Sequence, residues 1–136
     1  MASKKQIDVV AAIIEHSSEI LAVQRGCSKF DYLSGKFEFP GGKVEEAERP
    51  EQALHREIRE ELLLDITILD EFVTVHYEYP DFEVNIQCFR CATTKRDLTL
   101  TEHISQCWLP VIELPVLDWA AADIPIVDKL ISEVTH

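Results

Sequence analysis

The sequence predicts an α/β (α+β) fold in which one mixed β-sheet has helices packed against it. Two long strand-like segments follow a helix-forming segment, and a second helical pattern ends the chain. The four glycines all lie between residues 26 and 42, so backbone freedom is concentrated in one place. With 136 residues, 46% of them hydrophobic, the chain can bury a core without disulfides or a structural metal. We therefore expect residues 1–136 to form a single domain.

The first elements are a β-hairpin that leads into the glycine-rich segment. The nearly continuous apolar run from Ile7 to Ile14 suits a strand that is buried on both faces. His16-Ser17-Ser18 predicts a turn, and Ile20 to Val23 begins a second strand. After the glycines, Pro50 to Leu62 contains strong helix formers and a proline suited to the first turn, which predicts a helix that starts near residue 50.

The second half of the chain begins with two strands that we expect to pair. Ile66 to Tyr77 and Phe82 to Cys91 have β-like patterns, and Tyr79-Pro80-Asp81 predicts the turn between them. A short strand is expected around Gln106 to Leu109. After an entry at Asp123-Ile124-Pro125, apolar residues at three- and four-residue spacing predict a final helix: Ile126, Val127, Leu130, Ile131 and Val134.

The charge balance restricts the classes of partner. Against 13 Lys and Arg there are 25 Asp and Glu, a formal net charge of −12, which argues against non-specific binding to a nucleic acid polymer. A phosphate ligand would need local Lys or Arg, a divalent cation, or both. No stretch approaches the roughly 18 apolar residues of a membrane span, and Met1 to Gln6 lead into a strand without a signal-peptide core. We expect a cytoplasmic protein with no membrane partner.

The four cysteines leave two interpretations open. Cys88 and Cys91 have C-x-x-C spacing and could contribute to a zinc site with Cys27 and Cys107. Cys88, however, continues the alternating apolar run that starts at Phe82, which favours reduced thiols in the core or at the surface.

The segment with the most chemical information is a loop, Gly42 to Glu48, followed by the acidic helix sequence Arg56 to Glu61. At about 100° per residue, Glu57, Glu60 and Glu61 fall within one sector of about 100° on the helix. Converging carboxylates repel one another unless a cation neutralises them, and their hard oxygen atoms suit Mg²⁺ or Mn²⁺. The alternative is a solvated acidic helix face.

This spacing resembles the Nudix box: a glycine, five residues, a glutamate, seven residues, and then Arg-Glu-apolar-x-Glu-Glu. The loop-helix-loop covers residues 42–64, and similarity to MutT and to CTP pyrophosphohydrolases extends to Arg25, Phe39-Pro40-Gly41-Gly42-Lys43 and Ala122-Asp123-Ile124-Pro125. The resemblance implies a Nudix-type α/β/α sandwich with a mixed sheet and a catalytic loop-helix-loop. The sequence departs from the Nudix box at Leu63, which occupies the position of a glycine that normally ends the helix. Because that glycine terminates the helix and has no chemical role, we expect the change to affect the C-cap rather than catalysis.

The same resemblance implies the catalytic groups. A Mg²⁺ or Mn²⁺ cofactor would be bound by Glu57, Glu60, Glu61 and the carbonyl of Gly41. Arg56 would hold Glu57 through charge-assisted hydrogen bonds, with support from Glu48. Glu102 matches in spacing a further glutamate that contacts metal or water in MutT; the alternative is an ordinary loop acid.

Candidate substrate contacts lie mostly outside the box: Arg25, Phe39, Lys43, Tyr79 and Asp123. Arg25 and Lys43 would contact phosphate. Asp123 lies where MutT-type enzymes place a polar side chain that hydrogen-bonds the base, and the alternative is an N-cap of the last helix. Tyr79 belongs to Glu78-Tyr79-Pro80-Asp81, which is similar to MutT, although Phe82 follows where MutT has an arginine.

The resemblance implies a hydrolase that converts a nucleoside triphosphate to the monophosphate and pyrophosphate by attack of water on the β-phosphorus. Phe82 and the run Leu117-Asp118-Trp119-Ala120 favour CTP, dCTP or modified forms as substrates. The alternatives are an 8-oxo-dGTP diphosphatase acting in nucleotide pool sanitation and DNA repair, and a non-catalytic nucleotide-binding module. The partner is then a small nucleotide, and the chain is a monomer or a homodimer.

Overall fold

The computed structural model describes residues 4–135. Within that range the chain forms seven strands and two α-helices, in the order β1 (Lys5–His16), β2 (Glu19–Gln24), β3 (Phe37–Glu38), β4 (Gly41–Lys43), α1 (Pro50–Leu62), β5 (Thr67–Glu78), β6 (Phe82–Ala92), β7 (Ser105–Leu109) and α2 (Ile124–Val134). Two 3₁₀ helices, Val111–Val116 and Ala121–Asp123, precede α2. The predicted hairpin, the helix from Pro50, the paired strands, the short strand and the final helix are confirmed.

All of these strands join one mixed sheet with the order β3-β2-β1-β6-β5, in which β4 also pairs with β1 and β7 with β2. The pairing of β1 with β6 is parallel and places Val9 opposite Ile86. The other pairings are antiparallel. The predicted mixed sheet is therefore confirmed.

Both faces of the sheet are covered, which explains the unbroken apolar run in β1. Side chains alternate along a strand, so Val10, Ala12 and Ile14 pack in the cluster with α1. Ala11 and Ile13 pack in the cluster with α2 on the opposite face. The expected α/β/α sandwich is confirmed.

Four short elements were not predicted: β3, β4 and the two 3₁₀ helices, Val111–Val116 and Ala121–Asp123. A strand of two or three residues carries too little pattern to be recognised, and β4 depends on its partner β1. Gly41 lies opposite Ala11, and a Cβ atom at residue 41 would lie 1.9 Å from the carbonyl oxygen of Val10. Only glycine therefore allows β4 to approach β1.

For Cys88 and Cys91, the structure favours reduced thiols over a shared zinc site. Cys88 and Cys91 are both buried and free, and they belong to the clusters on opposite faces of the sheet. Residues three apart on a strand point in opposite directions, so these two sulfur atoms do not converge on one metal. Within residues 4–135, no helix combines the length and apolar character needed to cross a bilayer.

Candidate active site

A cavity of about 1090 Å³ opens beside β1, between the C-terminal half of α1 and the turn that joins β5 to β6. Its acidic end is lined by five glutamates: Glu38, Glu45, Glu57, Glu61 and Glu102. Its other end is lined mostly by apolar and aromatic side chains: Phe30, Leu33, Phe39, Tyr79, Phe82, Val84 and Ile86. Asp123 also lines the apolar end. The cavity thus has separate regions for a charged and for a planar, less polar part of a ligand.

Arg56 organises the acidic end from the middle of α1. Its Nη1 donates to Glu57 Oε1 at 2.8 Å, and its Nε and Nη2 donate to the two carboxylate oxygens of Glu48 at 2.8 and 2.9 Å. Nη2 also donates to the carbonyl oxygen of Lys43 at 3.0 Å, which joins the end of β4 to the helix. Arg56 and Glu48 thus make the contacts that the resemblance implied.

Gly42 lets the backbone of β4 approach the carboxylate of Glu57. A Cβ atom at residue 42 would lie 2.3 Å from the carboxyl carbon of Glu57. Any larger residue would displace that carboxylate, so the glycine helps to fix its position.

Glu61 is the most perturbed acid of the cavity. The residue is 5% exposed, and its Oε1 has no hydrogen-bond partner among residues 4–135. Burial raises its pKa to about 9, with further contributions from the negative charges of Glu57, Glu38 and Glu102. A buried carboxylate oxygen without a partner is unfavourable unless a proton or a cation neutralises it. The donor set therefore fits a hard divalent cation.

Glu60 shares the predicted helix sector with Glu57 and Glu61, but its side chain does not line the cavity. Its side chain is 59% exposed and its Oε2 lies 3.3 Å from Nη1 of Arg56. It borders an outer surface depression with His55 and Arg59 instead of the cavity. The expectation that three glutamates of α1 converge is corrected to two, because Glu57 and Glu61 face the sheet whereas Glu60 lies at the far edge of the sector and pairs with Arg56.

No group of three or more His, Cys, Asp or Glu side chains within residues 4–135 is already arranged to hold a metal ion. Two carboxylates, Glu57 and Glu61, and the backbone at Gly41 line the same cavity. That set agrees with Mg²⁺, which usually binds to one or two carboxylates and completes its shell with water and substrate phosphates.

The segment before β7 brings Glu102 to this end of the cavity. Thr101 donates its N–H to the carbonyl oxygen of Glu61 at 3.0 Å and its hydroxyl to that of Glu60 at 2.8 Å. The exposed side chain of Glu102 lines the cavity next to these contacts. Arg25 and Lys43, the expected phosphate contacts, line the same region.

Sequence reasoning did not identify Glu38 and His103. Glu38 accepts hydrogen bonds from Arg25 Nη1 at 3.2 Å and from His103 Nε2 at 2.9 Å. The His103 side chain is buried and its Nδ1 has no partner in the structure. Only their positions in the sequence could have indicated these two residues, because each is next to a predicted part of the site. Glu38 immediately precedes Phe39-Pro40-Gly41-Gly42, and His103 follows Glu102.

Asp123 closes the apolar end of the cavity. Its Oδ2 accepts the backbone N–H of Phe39 at 2.8 Å, and burial, followed by the charge of Glu38, raises its pKa to about 8. Asp123 occupies the N-cap position of α2, but its side chain makes no capping hydrogen bond. The alternative that this side chain caps the helix is therefore wrong.

Aromatic side chains form the wall beside Asp123. Tyr79 stacks on Tyr32 with ring centroids 5.1 Å apart, and Phe30 packs against Phe82 at 5.5 Å. Phe39 stacks on Trp119 at 4.7 Å. Flat apolar surfaces of this kind suit a planar base.

Comparison with known proteins gives consistent matches. A family model described as the NUDIX domain matches residues 4–130. The CTP pyrophosphohydrolase of Escherichia coli K12 is 36% identical over 129 residues, which cover 94% of this chain and 93% of that protein. The 8-oxo-dGTP diphosphatase of Proteus vulgaris is 35% identical over 100 residues, 73% of this chain and 88% of that protein. A solution structure of MutT, a Nudix hydrolase from methicillin-resistant Staphylococcus aureus, is 44% identical with a TM-score of 0.73 and covers 96% of this chain and 99% of that one.

Proposed function

Because the chain belongs to the Nudix hydrolase family, we propose that it is a divalent-cation-dependent nucleoside triphosphate pyrophosphohydrolase. The proposed reaction converts a nucleoside triphosphate to the monophosphate and pyrophosphate. CTP, dCTP or a modified form is the proposed substrate, in agreement with the similarity to a protein named CTP pyrophosphohydrolase over nearly the whole chain.

One observation carries this proposal: a single cavity joins an acidic end to an end that suits a base. Glu57 and Glu61 line the first, and Asp123 with aromatic side chains lines the second. A triphosphate would be repelled by the glutamates alone, so the acidic end requires a cation between protein and phosphates. This also explains how a chain with a net charge of −12 can bind an anionic nucleotide.

We propose that Mg²⁺ or Mn²⁺ is held by Glu57, Glu61, the Gly41 carbonyl and Glu102. Such a cation supplies charge neutralisation on the phosphates and orients them for attack. Glu60 joins this set only through a rotamer change that takes it away from Arg56. An enzyme, and not only a binding module, is supported because the acids that would carry the chemistry are present.

The remaining steps fall to side chains of this protein. Arg25 and Lys43 contact the phosphates and offset charge that develops in the transition state. Arg56 keeps the Glu57 carboxylate in one orientation through its bond to Oε1. A carboxylate at the acidic end orients the attacking water and accepts its proton.

A second candidate substrate is 8-oxo-dGTP, which would give the chain a role in nucleotide pool sanitation and DNA repair. The supporting observation is the similarity to the P. vulgaris protein named 8-oxo-dGTP diphosphatase. Phe82 lines the cavity at the position where MutT has an arginine, and this difference in the wall favours the cytidine nucleotides.

Three further properties of the protein belong to this proposal: its domain organisation, its location in the cell and its oligomeric state. We propose a single domain over residues 1–136, since the family model spans residues 4–130. A small-molecule partner and a cytoplasmic location follow from a reaction that draws on nucleotide pools. A monomer or a homodimer would support the same cavity, because its lining comes from one chain.

The test is a product analysis on CTP, dCTP, 8-oxo-dGTP and dGTP, with and without Mg²⁺. We expect monophosphate and pyrophosphate, so that phosphate is released only after pyrophosphatase is added. Orthophosphate as the primary product, without pyrophosphatase, would contradict the proposal and favour a general phosphatase.

A further inference from the structure

The Tyr79 hydroxyl is a buried hydrogen-bond donor at the apolar end of the cavity. Tyr79 is 5% exposed, and its hydroxyl oxygen accepts the backbone N–H of Ala122 at 3.0 Å. Among the hydrogen bonds of residues 4–135, this hydroxyl donates to no protein acceptor. A phenol has one O–H donor besides its acceptor lone pairs, so one bonding capacity of Tyr79 is unused.

Leaving a buried donor without an acceptor is unfavourable, and a ligand in the cavity would remove that cost. The hydroxyl stays in its donor form, because burial raises the pKa of Tyr79 to about 12. Tyr79 also lines the cavity, so an acceptor on a bound ligand has access to its side chain.

The ring of Tyr79 is held in place from several sides. It stacks on Tyr32 with an interplanar angle of 15° and packs against Tyr77 and Phe82 at centroid distances of 4.7 and 5.1 Å. Its backbone N–H donates to the carbonyl oxygen of Phe82 at 2.8 Å, which closes the turn between β5 and β6. A fixed ring presents its hydroxyl in one position, as selective recognition requires.

Asp123 supplies the complementary group next to this donor. It follows Ala122, the residue whose N–H binds the Tyr79 hydroxyl, and its negative charge contributes to the raised pKa of Tyr79. Oδ2 of Asp123 accepts the N–H of Phe39, which leaves Oδ1 available to a ligand. Because the pKa of Asp123 is raised to about 8, Oδ1 acts as an acceptor when the carboxylate is ionised. One donor and one acceptor thus stand at the same end of the cavity.

We propose that the Tyr79 hydroxyl is a specificity-determining donor which, together with Asp123, recognises a base edge that carries a hydrogen-bond acceptor beside an N–H donor. This inference rests on the proposed function. Cytosine offers such an edge with N3 beside its 4-amino group, and 8-oxoguanine offers one with O6 beside N7–H. The two bases share the chemistry that the pair of side chains recognises.

The test compares the wild type with Tyr79→Phe, which removes only the hydroxyl, and with Tyr77→Phe as a matched control from the same aromatic group. Kd values for CMP and 8-oxo-dGMP are measured by calorimetry, and kcat/KM for the two triphosphates. For the base that is recognised, Tyr79→Phe should weaken binding and kcat/KM by about 10-fold, since one hydrogen bond is lost. Tyr77→Phe should change neither.

Substrates that lack the acceptor identify which atom Tyr79 contacts. The wild type should lose about 10-fold on 3-deaza-CTP, in which a C–H replaces N3, if cytosine is the base. The 8-oxo-2-aminopurine nucleotide, which lacks O6, should show this loss if 8-oxoguanine is the base. On the analogue of the recognised base, Tyr79→Phe should cause no further loss.

The inference would be overturned if Tyr79→Phe weakened binding and kcat/KM equally for all bases and analogues and also lowered the melting temperature. The hydroxyl would then have only the structural role of accepting the N–H of Ala122. Unchanged binding by Tyr79→Phe would overturn it as well. If the wild type hydrolyses no nucleotide but binds CMP or 8-oxo-dGMP in a Tyr79-dependent way, the proposed function fails and the recognition role is supported.

Discussion

At the scale of single residues, the glutamates of one short segment differ because their surroundings differ. Glu48 is held by Arg56, whose hydrogen bonds lower its pKa to about 2. Glu61 lies without such a partner in a buried position, and its pKa is raised to about 9. A paired carboxylate has a structural role, whereas an unpaired buried one is available to bind a cation or a proton.

Glu57→Gln and Glu61→Gln should abolish activity while the fold is retained. Each variant keeps the shape of the side chain but loses an anionic ligand, and the loss of a catalytic ligand should reduce kcat/KM by on the order of 10³-fold. Steady-state kinetics in Mg²⁺ and circular dichroism measure the two parts of this prediction. Glu60→Gln is the matched control with the same chemical change on an exposed side chain; an equal loss there would return Glu60 to the metal ligands.

Glu61 should make the cation-free protein less stable as the pH rises. Its pKa is about 9 in the folded protein against an ordinary value of 4.5, so the folded state binds more protons than the unfolded state between these values. This contribution to stability is present below about pH 4.5 and is lost as the pH rises towards 9. Asp123, with its pKa raised to about 8, acts in the same direction.

The measurement is a series of melting curves in a chelator between pH 5 and pH 9 for the wild type and Glu61→Gln. The fall in melting temperature should be smaller in the variant, because its amide does not ionise. Mg²⁺ should oppose the fall in the wild type by binding the carboxylate. Parallel curves for the two proteins would contradict the role given to Glu61.

Asp123→Ala should reduce selectivity between bases. If Asp123 recognises the base, the variant loses about 1–3 kcal/mol of transition-state stabilisation for the best nucleotide, and kcat/KM for that nucleotide falls accordingly. For poor substrates kcat/KM should change little. Kinetics on CTP, dCTP, 8-oxo-dGTP and dGTP measure this difference. Asp123→Asn is the closer control, since its carbonyl oxygen can still accept the N–H of Phe39. Equal losses across the panel would end the idea that Asp123 recognises the base.

At the scale of elements, α1 fixes the acidic end by burying one side against the sheet. Leu54, Ile58 and Leu62 are fully buried, and this orientation turns Glu57 and Glu61 towards the cavity. The helix ends at Leu63, which adopts a left-handed conformation with φ 51° and ψ 43° and donates its N–H to the carbonyl of Arg59. A leucine therefore occupies a backbone conformation that favours glycine.

Leu63→Gly should increase the free energy of unfolding by about 0.5–1 kcal/mol, because it removes the steric cost of a left-handed non-glycine residue. Leu63 is 60% exposed, so little packing is lost. Urea unfolding gives the change in stability, and kcat/KM should stay the same. Ala47→Gly offers a comparison at another non-glycine residue with positive φ, 64°. A destabilised Leu63→Gly variant would show that the leucine side chain contributes more than its backbone costs.

At the scale of the whole molecule, the sheet topology assembles the cavity from distant parts of the chain. Arg25 follows β2, Gly41 begins β4, and Glu102 precedes β7, yet all three line one cavity. Asp123 and Phe39, which are 84 residues apart, are joined by a hydrogen bond. The net charge of −12 adds a molecule-wide repulsion towards phosphates, which a bound cation offsets locally together with Arg25 and Lys43.

Removal of divalent cations should therefore abolish turnover and weaken nucleotide binding. Initial rates with a chelator are compared with rates in Mg²⁺ or Mn²⁺, and NaCl at matched ionic strength controls for general screening. Only the divalent ions should restore activity. Turnover in the chelator, or recovery with NaCl alone, would contradict a specific cation at Glu57 and Glu61.

The local sequence pattern was sufficient to predict the strands and helices that have a clear hydrophobic period. It was also sufficient to recognise the Nudix box. The apolar run of β1, the helix start near Pro50 and the spacing from Gly42 to Glu61 are properties of neighbouring residues. The sheet-and-helix class and the family could therefore be predicted without the structure. The short strand β4 could not be recognised in this way, because it exists through its pairing with β1.

The direction of individual side chains was decided only by the tertiary structure. Glu60 turns outward to Arg56, and Asp123 turns inward to Phe39 instead of capping α2. Glu38 and His103, 65 residues apart, meet beside the predicted glutamates. A helical projection fixes angles around one axis, whereas the partner that each polar side chain finds depends on residues that are distant in sequence and close in the folded chain.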